Sequence, residues 1–116
     1  MSTFAGALSV ILALTFLGSG VAKLVGVPAL EESARLLHIS HRLHVTVALL
    51  EIAAVAGLTV GLWWRPLQIA AAAGLTLLMV GAVAYHVRAD DSAKNTSVPA
   101  VLGLLTLATG VASLMA

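Results

Sequence analysis

The sequence contains no cysteine. This absence excludes disulfide bonds, thiol redox relays, iron–sulfur clusters and thiolate zinc sites. Charged residues are also scarce, at 9% of the chain, whereas a soluble domain has about 25%. So few charges cannot cover a surface that faces water, and a membrane is the solvent that suits this composition.

Positive charge is both sparse and dispersed. The net charge is +1, and the six Lys and Arg residues occur singly along the chain. Nucleic-acid binding normally requires a basic patch or stripe. The sequence therefore predicts no nucleic-acid partner.

Apolar residues make up 60% of the chain, and the mean hydropathy is +1.07. They form four runs near the roughly 20 residues that a membrane-spanning helix needs. The runs cover residues 4–25, 44–62, 67–87 and 98–115. The first run has no basic n-region and is longer than the apolar core of a signal peptide, so we expect it to be retained. The predicted fold is all-α, a four-helix transmembrane bundle that forms a single domain over residues 1–116.

The segment between the first two runs has the pattern of a short amphipathic helix over residues 28–38. Pro28 suits a first helical position, and Glu31 and Glu32 suit the positive first turn. One face of this helix would carry Leu30, Ala34, Leu37 and His38. We expect the helix to lie in the membrane interface; an ordinary polar loop is the alternative.

The other two connections carry clear boundary signals. Trp63 and Trp64 are typical of an interfacial anchor, and Pro66 opens the third helix, which makes the second and third helices an antiparallel hairpin. Ser97 is predicted to cap the fourth helix, with Pro99 in its first turn.

Loop charge predicts the orientation in the membrane. Of the six basic residues, only Arg65 lies on the side of the second connection. The positive-inside rule places the first and third connections in the cytoplasm and both termini outside.

Small residues predict where helices approach closely. Gly57 and Gly61 form a GxxxG pair, Gly74 and Gly81 lie a heptad apart, and residues 70–73 are all alanine. Such residues allow close backbone contact in lipid. The alternative is that glycine and alanine are simply frequent in membrane helices.

Ionisable residues are predicted to cluster in one half of the bundle. Glu51 lies about seven residues into its apolar run, roughly 10 Å deep, where an unpartnered charge is costly. Lys23 ends the first helix on the same side, and His86 and Arg88 end the third helix there. Ser19 shares the face of Lys23, four residues away.

Three interpretations of this cluster remain open. Its members could be independent interfacial residues, a buried structural ion pair that fixes helix register, or the lining of a pocket for a headgroup, a quinone or another small molecule. No metal site is expected, because a helix break is predicted among His38, His41 and His44. No nucleophile–base pair or phosphate-binding glycine loop is present.

Three segments resemble the DoxX-like family of small bacterial membrane proteins. They are FLGSGVAKLVGVP (residues 16–28), LLEIAAVAGLTVGL (49–62) and AAAGLTLLMVGAVAYHVRADD (71–91). The resemblance extends from about residue 4 to residue 115 and is most specific in SG-x-x-K, the glutamate of the second helix and GA-x-x-x-H-x-R. The matching positions are Ser19, Lys23, Glu51, His86 and Arg88.

The resemblance implies a four-helix bundle in the bacterial cytoplasmic membrane. The family takes its name from a subunit of a thiosulfate:quinone oxidoreductase, which suggests a binding or accessory subunit of a quinone-linked redox complex. Without cysteine, a thiol-based part in sulfur chemistry is excluded. A quinone as cofactor, a membrane redox partner and homo-oligomerisation stay open. The alternatives are a stand-alone enzyme or transporter with Glu51 as proton carrier, and a purely structural scaffold.

Overall fold

The computed structural model describes residues 3–115. This part of the chain contains five α-helices and no strand: α1 (Thr3–Val25), α2 (Pro28–Leu36), α3 (His41–Val60), α4 (Arg65–Arg88) and α5 (Ala93–Met115). All except α2 are long and apolar enough to cross a membrane. The predicted all-α bundle, with a short helix between the first two long ones, is confirmed.

The long helices form a ring in which α1 packs on α3 and α5, and α4 packs on the same two helices. Consequently α1 and α4 lie diagonally across the bundle. The centre is filled by Leu12, Phe16, Leu58, Leu75 and Met79. Many large apolar side chains point outward, including Leu14, Leu77 and Leu104. Such a surface requires lipid around it, so the chain is a multi-pass membrane protein in a bilayer.

Helix α3 begins earlier than predicted. Ser40 caps it, because its Oγ accepts a hydrogen bond from the backbone N–H of Leu43 at 3.1 Å. The helix therefore starts at His41 rather than His44. Glu51 is then about 15 Å along the helix from its first residue, at 1.5 Å per residue, and lies near the middle of α3.

Helix α5 also begins earlier than predicted, at Ala93 rather than residue 98. The Oγ of Ser92 accepts from the backbone N–H of Asn95 at 3.1 Å. The prediction that Ser97 caps this helix is wrong: its Oγ donates to the carbonyl of Lys94 at 2.6 Å. Pro99 lies inside the helix instead of in its first turn.

The amphipathic character of α2 is confirmed, although the helix ends at Leu36 rather than residue 38. Leu30 is half-buried and Ala34 and Leu37 are buried, as their spacing predicts. His38 is not part of this face, because it is exposed and its φ of 58° turns the chain out of the helix. A residue in this left-handed conformation ends the helix, since it cannot continue it.

Close approach of α3 and α4 is confirmed at the hairpin. A Cβ added at Gly57 would lie 3.0 Å from the Cβ of Ala71, and one at Gly61 would lie 2.6 Å from the Cα of Gln68. The corresponding prediction for Gly74 and Gly81 is wrong within the chain, because a Cβ at either position would meet nothing within 4 Å. These two helices therefore pack tightly only near the hairpin.

Candidate functional site

A cavity of about 870 Å³ lies between α3 and α4, and α1, α2 and α5 also contribute side chains to its wall. Apolar side chains form most of its wall, among them Val47, Leu50, Leu67, Leu77 and Leu78. Helix α2 and the turn after it add Leu30, Ala34 and Leu37 at one end. The amphipathic helix therefore turns its apolar face toward the cavity as well as the bundle.

The polar end of the cavity contains the ion pair between Glu51 and Lys23. The Oε1 of Glu51 accepts from the Nζ of Lys23 at 2.6 Å, and the Glu51 side chain is only 2% exposed. The same Nζ donates to the Oγ of Ser19 at 2.5 Å. An ammonium group has three N–H donors, so these two bonds leave the third without a partner among residues 3–115.

A glycine lets Lys23 reach Glu51. A Cβ added at Gly20 would lie 2.8 Å from the Cγ1 of Ile52 and 3.1 Å from the carbonyl oxygen of Ala48. Any larger residue would hold α1 away from α3 at this level. Gly20 thus explains the SG-x-x-K sequence physically: the lysine donates to the Glu51 carboxylate, the serine accepts from the lysine, and the glycine allows α1 to approach α3.

His86 lines the same cavity and has a partner that the sequence did not indicate. Its Nδ1 lies 2.6 Å from the Oδ2 of Asp91. Asp90 has φ 58°, and the backbone N–H of Asp91 bonds to the carbonyl of His86 at 3.0 Å. This is the hydrogen-bond pattern of a Schellman helix end, and it folds the Asp91 side chain back onto the last turn of α4.

The carboxylate of Asp91 is well supplied with donors. Its Oδ1 accepts from the Nδ2 of Asn95 at 3.0 Å and from the backbone N–H of Ser92 at 2.8 Å. The hydrogen bond from Asn95, then those from Ser92 and His86, lower the pKa of Asp91. Asp91 is therefore ionised at neutral pH, and since a carboxylate can only accept, the Nδ1 of His86 carries the proton of their hydrogen bond.

Arg88, the remaining member of the predicted cluster, lies outside the cavity wall. It is exposed, and its guanidinium carbon lies 5.0 Å from the centre of the Tyr85 ring. This distance is typical of a cation–π contact. Tyr85 does line the cavity, so Arg88 can act on the site only through that ring.

His44 is a further cavity residue that the predicted cluster did not include. It is 5% exposed, and its Nε2 has no hydrogen-bond partner among residues 3–115. The nearest carboxylate oxygen, Oε1 of Glu31, is 3.7 Å away, which is too long for a hydrogen bond. The heptad spacing between His44 and Glu51 is the sequence signal that places both on one face of α3.

A second buried polar cluster lies outside the cavity, toward the other end of the bundle. The Nε2 of Gln68 donates to the Oγ of Ser9 at 2.8 Å, and the Oγ of Ser113 donates to the Oε1 of Gln68 at 2.6 Å. All three residues are almost fully buried. Because these bonds join α1, α4 and α5 directly, the cluster fixes how the three helices pack.

No group of three His, Cys, Asp or Glu residues within the described range is arranged to hold a metal ion. His38 and His41 are both exposed, on either side of the break between α2 and α3.

Comparison with known families adds one result. The model of the DoxX-like family matches residues 7–109. The chain belongs to the DoxX-like family. The match covers all the cavity's polar residues, from Ser19 to His86, and Asp91 as well. No curated protein and no solved structure gives a significant match to this DoxX-like protein.

Proposed function

We propose that this DoxX-like protein is an integral membrane protein whose cavity binds a small lipid-soluble molecule with a polar head group. The observation that carries the proposal is the partly buried Lys23–Glu51 pair at the polar end of an otherwise apolar cavity. Ligand sites typically combine apolar walls with a few placed polar groups. The quinone link of the family makes a quinone the candidate ligand and an accessory subunit of a redox complex the candidate role.

The shape of the site favours entry from the bilayer. Leu50, Ala70, Gly74 and Leu77 line the cavity and are also exposed on the outer surface between α3 and α4. A molecule dissolved in lipid could therefore pass between these helices without crossing water. An apolar tail would lie along this opening while the head group faced Lys23.

The chemistry of the polar end favours an oxygen acceptor on the ligand. Lys23 has one N–H beyond its bonds to Ser19 and Glu51, and a carbonyl or anionic oxygen is the natural partner for it. Glu51 holds the ammonium group in place, so the donor is oriented before any ligand binds.

Two measurements test this proposal. Native mass spectrometry of protein extracted in mild detergent should show a retained lipid-soluble molecule or a partner subunit. A titration with decylubiquinone should then give saturable binding that Gly74→Leu weakens at least tenfold, because Gly74 lines the cavity at its opening between α3 and α4 and a leucine would narrow that opening.

Gly18→Leu is the matched control. Gly18 is equally open, with nothing within 4 Å, but it lies on α1 outside the cavity, so decylubiquinone affinity should be unchanged. The absence of any retained molecule or partner, together with identical titrations of both variants, would reject the binding proposal and favour the structural scaffold. Loss of a transport or enzymatic activity in a folded Glu51→Gln variant would instead favour the proton-carrier alternative.

We also propose that the polar end of the cavity faces the cytoplasm of a bacterial cell. An even number of spanning helices would have both termini on one side of the membrane, and the positive-inside rule applied to the loop charges supports the outer side for them. A C-terminal alkaline phosphatase fusion should be active and a C-terminal green fluorescent protein fusion dark. The reverse pattern would show that the polar end faces outward.

A further inference from the structure

His86 and Asp91 form a hydrogen-bonded dyad at the polar end of the cavity. The Nδ1 of His86 is committed to the Oδ2 of Asp91 at 2.6 Å. The other ring nitrogen, Nε2, has no hydrogen bond within residues 3–115, and the His86 side chain, 14% exposed, lines the cavity. The ring therefore has one nitrogen fixed by the protein and one available to a bound molecule.

The ionised carboxylate that is bound to Nδ1 determines whether Nε2 donates or accepts a hydrogen bond. It fixes the tautomer, so that Nε2 of the neutral ring is an acceptor, and it stabilises the imidazolium that forms when Nε2 takes a proton. The same arrangement in enzymes makes histidine a proton acceptor. In this protein Asn95 and Ser92 hold the Asp91 carboxylate in turn.

The remaining titratable groups of the cavity come from two other helices and from α4 itself. They are Lys23 on α1, His44 and Glu51 on α3, and Tyr85 on α4, with Arg88 over the Tyr85 ring. Helices α2 and α5 contribute no titratable side chain to the wall. Glu51 is bound to Lys23. The cavity wall therefore contains the Lys23 ammonium as a cationic donor and the Nε2 of His86 as an acceptor.

We infer that the cavity binds molecules with an acidic hydroxyl group and that His86 takes the proton of that hydroxyl through Nε2, with Asp91 as its positioning residue. This inference rests on the proposed binding function and specifies its ligand class. Hydroxylated quinones and phenols with an apolar tail belong to this class.

The transfer is a single proton exchange. The ligand O–H bond breaks, an Nε2–H bond forms on His86, and the electron pair of the O–H bond stays on the ligand oxygen. The resulting anion is stabilised by the imidazolium of His86, to which it is joined by a charge-assisted hydrogen bond. No oxidant or reductant is needed, because no electron leaves the ligand.

A matched pair of probes separates this inference from the binding proposal. Lapachol is a prenylated hydroxynaphthoquinone whose anion absorbs at longer wavelength than its neutral form, and its methyl ether has no acidic proton. Both should bind the detergent-solubilised full chain, as the binding proposal requires. For bound lapachol at saturation, the pH midpoint of the colour change should lie about one unit below that in detergent alone, which corresponds to a tenfold preference for the anion.

Variants then identify the proton acceptor. In His86→Gln the lowering of the midpoint should vanish, and in Asp91→Asn it should shrink, while Asp91→Glu, which keeps a carboxylate, should restore part of it. His38→Gln is the control, because His38 is exposed and outside the cavity. Helical circular dichroism reports folding; if His86→Gln does not fold, the contrast between the two Asp91 variants decides.

Each outcome has a distinct meaning. If decylubiquinone binds but neither lapachol nor its ether does, this inference fails and the binding proposal stands. If none of the three binds, both fail. If the ether and lapachol bind but the midpoint is not lowered, only the proton-exchange inference is overturned. A lowered midpoint that persists in folded His86→Gln, or equally in Asp91→Asn and wild type, also overturns it.

Discussion

The Glu51 carboxylate and the Lys23 ammonium are 2.6 Å apart, yet they are buried to very different degrees: the exposed fractions are 2% for Glu51 and 19% for Lys23. Lys23 lies two residues before the end of α1, whereas Glu51 lies in the middle of α3. The lysine can therefore extend toward water if its partner is lost. The glutamate has no such alternative.

This asymmetry predicts unequal effects of breaking the pair. Lys23→Met leaves the buried carboxylate without its cation and should destabilise the protein by about 3 kcal/mol at neutral pH. Glu51→Gln leaves an ammonium that can reach solvent and should cost only about 1 kcal/mol. Reversible unfolding in mixed micelles of increasing denaturing-detergent content measures both.

The double variant Lys23→Met/Glu51→Gln is the control for this pair. It should be more stable than Lys23→Met alone, because it contains no unpaired buried charge. A double variant whose cost is the sum of the two single costs would show that the two charges are not energetically coupled. Equal costs for the two single variants would contradict the predicted asymmetry.

Gln68 is predicted to stabilise the bundle independently of the cavity. Gln68→Leu removes its bonds to Ser9 and Ser113 and should cost about 2 kcal/mol, since the buried bonds that join α4 to α1 and α5 are lost. Thr59→Val is the matched control, because Thr59 is exposed and bonds only to its own helix, at the carbonyl of Val55. Similar unfolding midpoints for the two variants would contradict the prediction.

The tight end of the α3–α4 hairpin predicts a strong difference between two glycines. In Gly61→Ala the new Cβ would lie 2.6 Å from backbone atoms of both Gln68 and Gly57, so the helices must shift, at a cost of about 1–3 kcal/mol. Gly18→Ala meets nothing within 4 Å and should be neutral or slightly stabilising. Thermal unfolding in detergent distinguishes them; equal midpoints would show that the hairpin is looser than described.

Asp91 predicts a dependence of stability on pH. Its pKa is lowered in the folded protein, so the ionised form is favoured by folding. The resulting stability is complete above the ordinary aspartate value of about 3.9 and is lost as the pH falls through the lowered pKa. Wild type should therefore unfold at a higher temperature than Asp91→Asn at pH 6, and the difference should shrink below about pH 4. A difference that grows in acid would contradict this sign.

Much of the fold could be predicted because lipid imposes simple rules. Apolar runs of spanning length have to form helices, and short connections have to alternate their direction, so Lys23, Glu51 and His86 were placed in one half of the bundle. The first residues of α3 and α5 were harder to predict from the sequence. Ser40 and Ser92 cap α3 and α5, but serine and asparagine also occur at nearby positions, and short polar side chains can cap any of them.

Predictions for single residues were limited because the sequence does not show which helix or side chain lies opposite each of them. The seven-residue spacing of Gly74 and Gly81 indicates one face of a helix without saying whether another helix covers it. Gln68 has no charge to mark it within an apolar run. Asp91 reaches His86 only because the left-handed backbone at Asp90 turns the chain back onto α4. Aspartate adopts this conformation more readily than most residues, but the sequence does not show which residue of the loop adopts it.

The sequence by itself determined that this protein is a four-helix membrane bundle of the DoxX-like type with ionisable residues gathered toward one end, because burial in lipid depends on length, apolarity and charge, which are local properties. Tertiary structure alone decided that α3 and α4 separate around a cavity, that Gly20 brings Lys23 to Glu51, and that His86 is bound to Asp91 while Arg88 stays outside. These depend on distances between helices, and such distances are set by packing.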